Sequence, residues 1–231
     1  KLLGFLMMNE NKNIVIAIDG PAGAGKSTTA KLLADKLNII HIDSGSIYRA
    51  LTYYFIKNRI SSKDLSKIKQ VVDKISIDIN YDNEVLVNGA NITDYIRLDD
   101  VNNYVSLFSA LPLIRFKVDL IQKELAKGKD VVVDGRDIGS TVFPNADFKI
   151  YLDAKLDERV SRRLKEKNSQ GIKSNYEEVK NELSSRDEID RNRKHSPLKI
   201  AVDAIKLDTS YLSIEEQVEK IYKIIKDKND R

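Results

Sequence analysis

Gly20, Pro21, Ala22, Gly23, Ala24, Gly25, Lys26 and Ser27 fit the pattern G-x-x-x-x-G-K-[ST]. A segment of that form can hold phosphate. Its glycines let backbone N–H groups turn inward as an anion nest, and the helix that follows adds its own N-terminal amides. Lys26 is expected to reach the β- and γ-phosphates of a nucleoside triphosphate and the Ser27 hydroxyl to ligate Mg2+, with Thr28 completing the nucleotide-binding run. The context agrees, since an apolar run (IVIAI, 14–18) comes directly before it and an amphipathic segment (Ser27–Leu37) directly after. The loop alone does not separate kinases from GTPases or motor ATPases. A guanine-binding N-K-x-D motif is missing, because Asn192-Arg193-Lys194-His195 lacks the aspartate. The length does not suit a hexameric ATPase module.

Three further stretches carry groups suited to a phosphorylated acceptor. DSGSIYR, Asp43 to Arg49, lies at a strand end and helix start, where ligands sit in open α/β sheets. Ser44 can offer its hydroxyl, and Arg49 can reach a phosphate with its long side chain; the alternative is a Ser cap and a surface arginine. In VVVDGRDIGS, Asp134 ends a buried strand, the usual place of the acid that orients Mg2+ or its water. Arg136 and Asp137 follow it, as ligand groups or as a structural ion pair. In RDEIDRNR, the residues Arg186, Asp190 and Arg193 fall on one helical face, either facing a ligand or salt-bridged in solvent. Arg159, Arg162 and Arg163 on the preceding helix invite the same two readings. Phosphoryl transfer needs cations that close over the transferring group, so a mobile Arg-rich lid is expected.

The elements that must position these groups alternate along the chain. Strands are expected at 14–18, 39–42, 131–134, 148–153 and 204–208, with helices between them from Ser27, from Ser44 to about Asn58, over 98–127 with a break at Pro112, and at 155–168, 175–190 and after Ser213. That order gives a doubly wound parallel sheet of about five strands. Residues 61–100 interrupt it. After a helix from Ser62 to Lys74 comes strict alternation at 75–80 and 84–88, with a turn at Tyr81-Asp82-Asn83 and another at Asn88-Gly89. This reads as a small inserted antiparallel subdomain, tethered to helices at both ends and with only a small core of its own.

Composition bounds the rest. The 231 residues are 42% hydrophobic and 32% charged, ordinary for a globular chain, and no apolar run approaches the ~20 residues of a membrane span. There is no cysteine, and the two histidines, His41 and His195, show no ligand pattern. The net charge of +4 suits an anionic partner, but no nucleic-acid motif accompanies it. The opening KLLGFLMM is short and lacks a cleavage site, so residues 1–12 read as a frayed or extraneous end rather than a targeting signal.

The set GPAGAGKS, DSGSIYR, VVVDGRDIG, FPNADFKIYLDA and RDEIDRNR closely resembles bacterial-type cytidylate kinases, of the P-loop nucleoside monophosphate kinase superfamily, from Ile14 to about Lys226. The resemblance implies a kinase core at 13–61 and 101–228, an inserted monophosphate-binding subdomain at 62–100 and a helical lid at about 159–193. It implies an acceptor phosphate held by Arg49, Arg136 and Arg193 with Ser44 near it and Tyr48 in the same motif. It also implies cytosine contacts from Ser106, Arg115 and Asp137, and ribose contacts from Arg186 and Asp190. Lys26, Arg136, Arg162, Arg163 and Arg193 would be the catalytic cations. Ser140 stands where threonine is commoner, and Ile189 and Arg191 vary among relatives. The implied reaction moves the γ-phosphate of ATP to CMP or dCMP, giving CDP or dCDP and ADP, in a cytoplasmic monomer. Asp137 would read the cytosine amino group and so set selectivity against UMP. Another small acceptor, such as UMP, AMP or a non-nucleotide metabolite, is one alternative; a nucleotide-dependent RNA-binding or regulatory protein is another.

Overall fold

In the computed structural model, which describes residues 13–80, 84–169 and 171–229, the parallel strands form one five-stranded sheet. The strands are β1 (Val15–Asp19), β2 (Ile40–Asp43), β6 (Val131–Gly135), β7 (Phe148–Asp153) and β8 (Ile205–Asp208), in the order β2-β6-β1-β7-β8. Both faces of the central strands are covered, so alternate residues enter different cores. On β6, Val131 and Val133 join one cluster and Val132 the other; on β1, Ala17 joins one and Ile16 and Ile18 the other. Continuous apolar runs were the sequence signature of this double burial. One face is packed by α1 (Lys26–Leu37) and α8 (Ile214–Asn229). The other is packed by α2 (Ser44–Lys57), α4 (Asp99–Ser109) and α5 (Pro112–Ala126). The break expected at Pro112 falls where α5 starts, with proline in its first turn.

The insertion carries α3 (Leu65–Lys74) and a separate antiparallel sheet of β3 (Ile77–Ile79), β4 (Val85–Val87) and β5 (Ala90–Asn91). Its helix begins three residues later than Ser62, because Asp64 supplies the cap, accepting from the Lys67 N–H at 3.1 Å. Asn88 and Gly89 both have positive φ, as the tight turn requires. The expected turn at 81–83 lies outside the described residues, as do residues 1–12. The small independent core expected of this insertion is not what forms. Ile68, Val72, Ile77, Val85, Val87 and Ile96 merge with Leu51, Phe55, Phe108 and Ile114 in one apolar cluster, so the insertion is cemented to α2, α4 and α5.

The remaining helices, α6 (Leu156–Ser169) and α7 (Tyr176–Asn192), follow β7 and pack against each other as a hairpin. A capping box of Asn175 and Glu178 starts α7. A π-helical turn over Ile138–Val142, directly after β6, had no periodic signature in the sequence.

Candidate active site

All five parallel strands carry an aspartate at or next to their C-terminal ends: Asp19, Asp43, Asp134, Asp153 and Asp208. Three of them organise the site. Asp19 is buried and accepts the backbone N–H groups of Ile138 (2.8 Å) and Gly139 (2.7 Å), which ties the π-helical turn to β1. Burial raises its pKa to about 6, against the pull of those two hydrogen bonds. Asp43 caps α2, accepting from the Ser46 amide at 3.1 Å and the Ser46 hydroxyl at 2.6 Å. Asp134 accepts from Ser27 Oγ at 2.7 Å through one oxygen and lies 2.8 Å from His41 Nε2 through the other.

The loop from Gly20 to Ser27 wraps the N-terminus of α1. Gly20 cannot be replaced by a larger residue, since a Cβ there would lie 2.0 Å from the Leu152 carbonyl oxygen. Lys26 is buried and donates to the Pro21 carbonyl at 2.7 Å. Burial depresses its pKa well below the usual lysine range, and the nearby Arg136 pushes the same way. Ala22, Gly23, Gly25, Lys26, Ser27 and Thr28 line a cleft of about 480 Å3; Gly20, Pro21 and Ala24 do not.

Across the same cleft the arginines and aspartates alternate. Arg136 Nε donates to Asp190 at 2.9 Å, Arg193 bridges Asp190 (3.1 Å) and Asp137 (3.2 Å), and Arg115 donates to the second oxygen of Asp137 at 2.5 Å. Arg115 also lies over the Tyr48 ring, 5.4 Å from its centroid. Ser44 donates to the Asp134 carbonyl at 2.6 Å. Arg49 reaches the cleft from α2; burial lowers its pKa to about 10 despite Asp43. Arg186 lines the cleft with no hydrogen-bond or ion-pair partner among the described residues, and burial followed by Arg136 and Arg49 lowers it to about 9.

A family model described as cytidylate kinase matches residues 16–227. The chain belongs to the cytidylate kinase family. It is 45% identical over 214 residues to a cytidylate kinase of Clostridium botulinum (strain Langeland), covering 93% of this chain and 98% of that one. To a cytidylate kinase of Listeria welshimeri it is 44% identical over 219 residues, covering 94% and 98%. A solved structure of an uncharacterized protein from Eubacterium ventriosum superposes with a TM-score of 0.50 at 13% identity, over 93% of this chain and 99% of the other, a likeness of fold alone. The family makes the chain a nucleoside monophosphate kinase, a P-loop phosphotransferase.

Not every residue picked out in the kinase sequence lies in the cleft. Arg162, expected as a catalytic cation, donates to the Ala24 carbonyl (3.4 Å), the Thr209 hydroxyl (3.2 Å) and the Thr209 carbonyl, behind the loop. Arg159 is buried and bound to the loop backbone. Spacing on a helix could not tell these from Arg163, which does line the cleft, paired with Glu166 (2.9 Å) and Glu182 (3.6 Å). Ser106 accepts from the Ser109 hydroxyl through its carbonyl (3.2 Å); its neighbours Val105 and Ser109 line the cleft and it does not. Arg191 is exposed. Sequence reasoning missed Asp19, whose signal was its place at the end of an apolar strand, as well as His41 and Asp187.

Proposed function

We propose that this cleft transfers the γ-phosphate of ATP to CMP or dCMP with the help of Mg2+. The observation that carries this is the single cleft shared by the phosphate loop and the alternating Arg136–Asp190–Arg193–Asp137–Arg115 array, in a chain of the cytidylate kinase family. The attacking oxygen of a monophosphate is already ionised at neutral pH, so no strong base is needed. Catalysis reduces to aligning two polyanions and neutralising their charge.

Lys26 and Arg163 face the donor side, and Arg49, Arg136 and Arg193 the acceptor phosphate, with Ser44 beside it. Arg186 and Asp190, which line the same cleft, are assigned to the ribose. Asp137 and Arg115 form the base end. Both Asp137 oxygens already carry an arginine, and a carboxylate oxygen can accept a second hydrogen bond, here from the cytosine amino group. Ser27 and Asp134 present two hard oxygen donors joined by a 2.7 Å hydrogen bond, and no group of three or more potential His, Cys, Asp or Glu ligands exists among the described residues. This fits a Mg2+ held by a hydroxyl, a carboxylate, waters and nucleotide phosphates. When bound there, the ion would neutralise charge on the β- and γ-phosphates.

No helix among the described residues is long and apolar enough to cross a membrane, and a cytoplasmic monomer acting on free nucleotides fits the reading. Incubation with ATP, Mg2+ and each of CMP, dCMP, UMP and AMP, with product detection, tests it. CDP and dCDP are the expected dominant products; faster formation of UDP or of a second ADP overturns the acceptor assignment.

A further inference from the structure

Ala22, the third residue of the phosphate loop, is held at every group it has by the α6–α7 hairpin. Its N–H donates to Asp187 Oδ1 on α7 at 3.0 Å, and its carbonyl accepts from Arg159 Nη1 on α6 at 2.9 Å. Its methyl packs with Val160, Val179 and Leu183 of the two helices. Arg159 Nη1 also donates to Asp187 Oδ2 at 2.6 Å, and Arg159 Nε to the Ala154 carbonyl at 3.1 Å. Asp187 and Arg159 are 5% and 6% exposed, so water does not screen the pair. The approach continues at Gly23, where an added Cβ would lie 3.1 Å from Arg159 Cβ. The Ala22 N–H is thereby turned toward α7 and withheld from the anion nest.

Helix α7 carries Arg186 and Asp190 beside this tether and ends at Arg193, the groups of the acceptor side. We propose that Asp187, with Arg159, is a positioning residue that couples the two substrate sites: filling the phosphate loop sets α7, and α7 sets the acceptor arginines. A backbone unit clamped at its donor, its acceptor and its side chain cannot shift without carrying the hairpin with it. Coupling of this kind is reciprocal, so the acceptor must equally tighten the donor. The proposal rests on the kinase reading above.

The test is to titrate CMP with and without a non-hydrolysable ATP analogue plus Mg2+, in the wild type and in Asp187→Asn. The wild type is expected to bind CMP at least about 5-fold more tightly with the analogue present, the lower end of usual couplings. In Asp187→Asn that factor should fall to within about twofold of one, while each ligand alone binds as in the wild type. A merely structural role would weaken binding or stability without moving the ratio. Full coupling in a folded Asp187→Asn, or none in a wild type that binds both ligands, overturns the clamp. Failure of the wild type to bind CMP or the analogue overturns the kinase reading instead. If Asp187→Asn does not fold, hydrogen exchange on the wild type decides: the analogue alone should slow exchange across 186–193, and unchanged exchange there overturns the proposal.

Discussion

A buried lysine beside Arg136 is an unfavourable arrangement in a folded protein unless something else fills the space between them. Lys26 is held by the Pro21 carbonyl, and its depressed pKa records the cost. Such a group is placed for a ligand, and removing it should spare the fold. Lys26→Ala is expected to keep its thermal transition and to lose at least ~10²-fold in kcat, measured by coupled ADP release. Near-normal turnover would sink the donor-site assignment. The base end gives a second case. Asp137 was expected to set selectivity more than the phosphate arginines do, but it also neutralises Arg115 and Arg193. Asp137→Ala should therefore lower kcat/KM for both CMP and UMP and narrow their ratio by only about 1 kcal/mol, whereas Arg49→Ala lowers both equally. A preference for CMP that survives Asp137→Ala and erodes in Arg49→Ala would overturn that division. Asp119 on α5 offers a pH test. Its Oδ1 is buried without a hydrogen-bond partner among the described residues, and burial, with Asp137 nearby, raises its pKa from 3.8 to about 6. The folded state thus binds the proton more tightly than the unfolded chain. Stability is lost as pH rises from about 4 to about 6, and stays lost above that. Asp119→Asn should be more stable than wild type by about 1 kcal/mol at pH 8 and no more stable at pH 4, read from denaturant midpoints at the two pH values. What was legible at this scale was local. The phosphate loop declares itself in eight consecutive residues, and DSGSIYR and DGRD in seven and four. Asp187 and Arg159 find Ala22 only through folding, across sequence separations of 165 and 137, and nothing in one linear sequence shows that pairing.

Among the elements, the central strands β1 and β6 were readable because burial on two faces demands unbroken apolar runs, and the helices because their crossovers are amphipathic. The π-helical turn was not. It exists because two of its amides reach Asp19, an interaction with a residue more than a hundred positions away. The insertion was recognisable by its alternation, yet alternation says only that one face is buried, not against what. Its apolar face joins the core under α2, and Ile79 and Val85 reach the cleft. Arg97 lies 3.4 Å from Asp43, an exposed contact worth little by itself. A three-stranded sheet this short depends on α2 and α5 for its stability, so contacts to an acceptor should be felt along it. Adding CMP is expected to slow hydrogen exchange in β3 and β4 by about tenfold, with the parallel sheet unaffected. Equal exchange with and without CMP would remove the insertion from acceptor binding.

At the scale of the whole molecule the cleft sets stability against function. Arg49, Arg136, Arg163 and Arg186 face one space, and the acids that answer them are already shared: Asp190 between Arg136 and Arg193, Asp43 between Arg49 and Arg97. Arg186 has no hydrogen-bonded acid among the described residues, and its pKa is lowered to about 9 by burial and by Arg136 and Arg49. Its charge is therefore a net burden on the protein without nucleotide, which two phosphate groups would relieve. Replacing it should stabilise and inactivate together, the trade expected at a site built for a charged transition state. Arg186→Ala is predicted to raise the nucleotide-free Tm by about 2–4 °C at low ionic strength, corresponding to about 1 kcal/mol for a chain of this size. The gain should shrink as salt shortens the screening length below the spacing of the guanidinium groups. Sulfate should raise the wild-type Tm more than chloride at equal ionic strength, and that excess should be smaller in Arg186→Ala, because fewer cations remain to bind it. Turnover should fall by at least ~10²-fold. A variant less stable than wild type at every salt concentration would mean that the Arg186 side chain contributes more by packing than it costs by charge, and the opposition between stability and function would have to be placed elsewhere in the cleft.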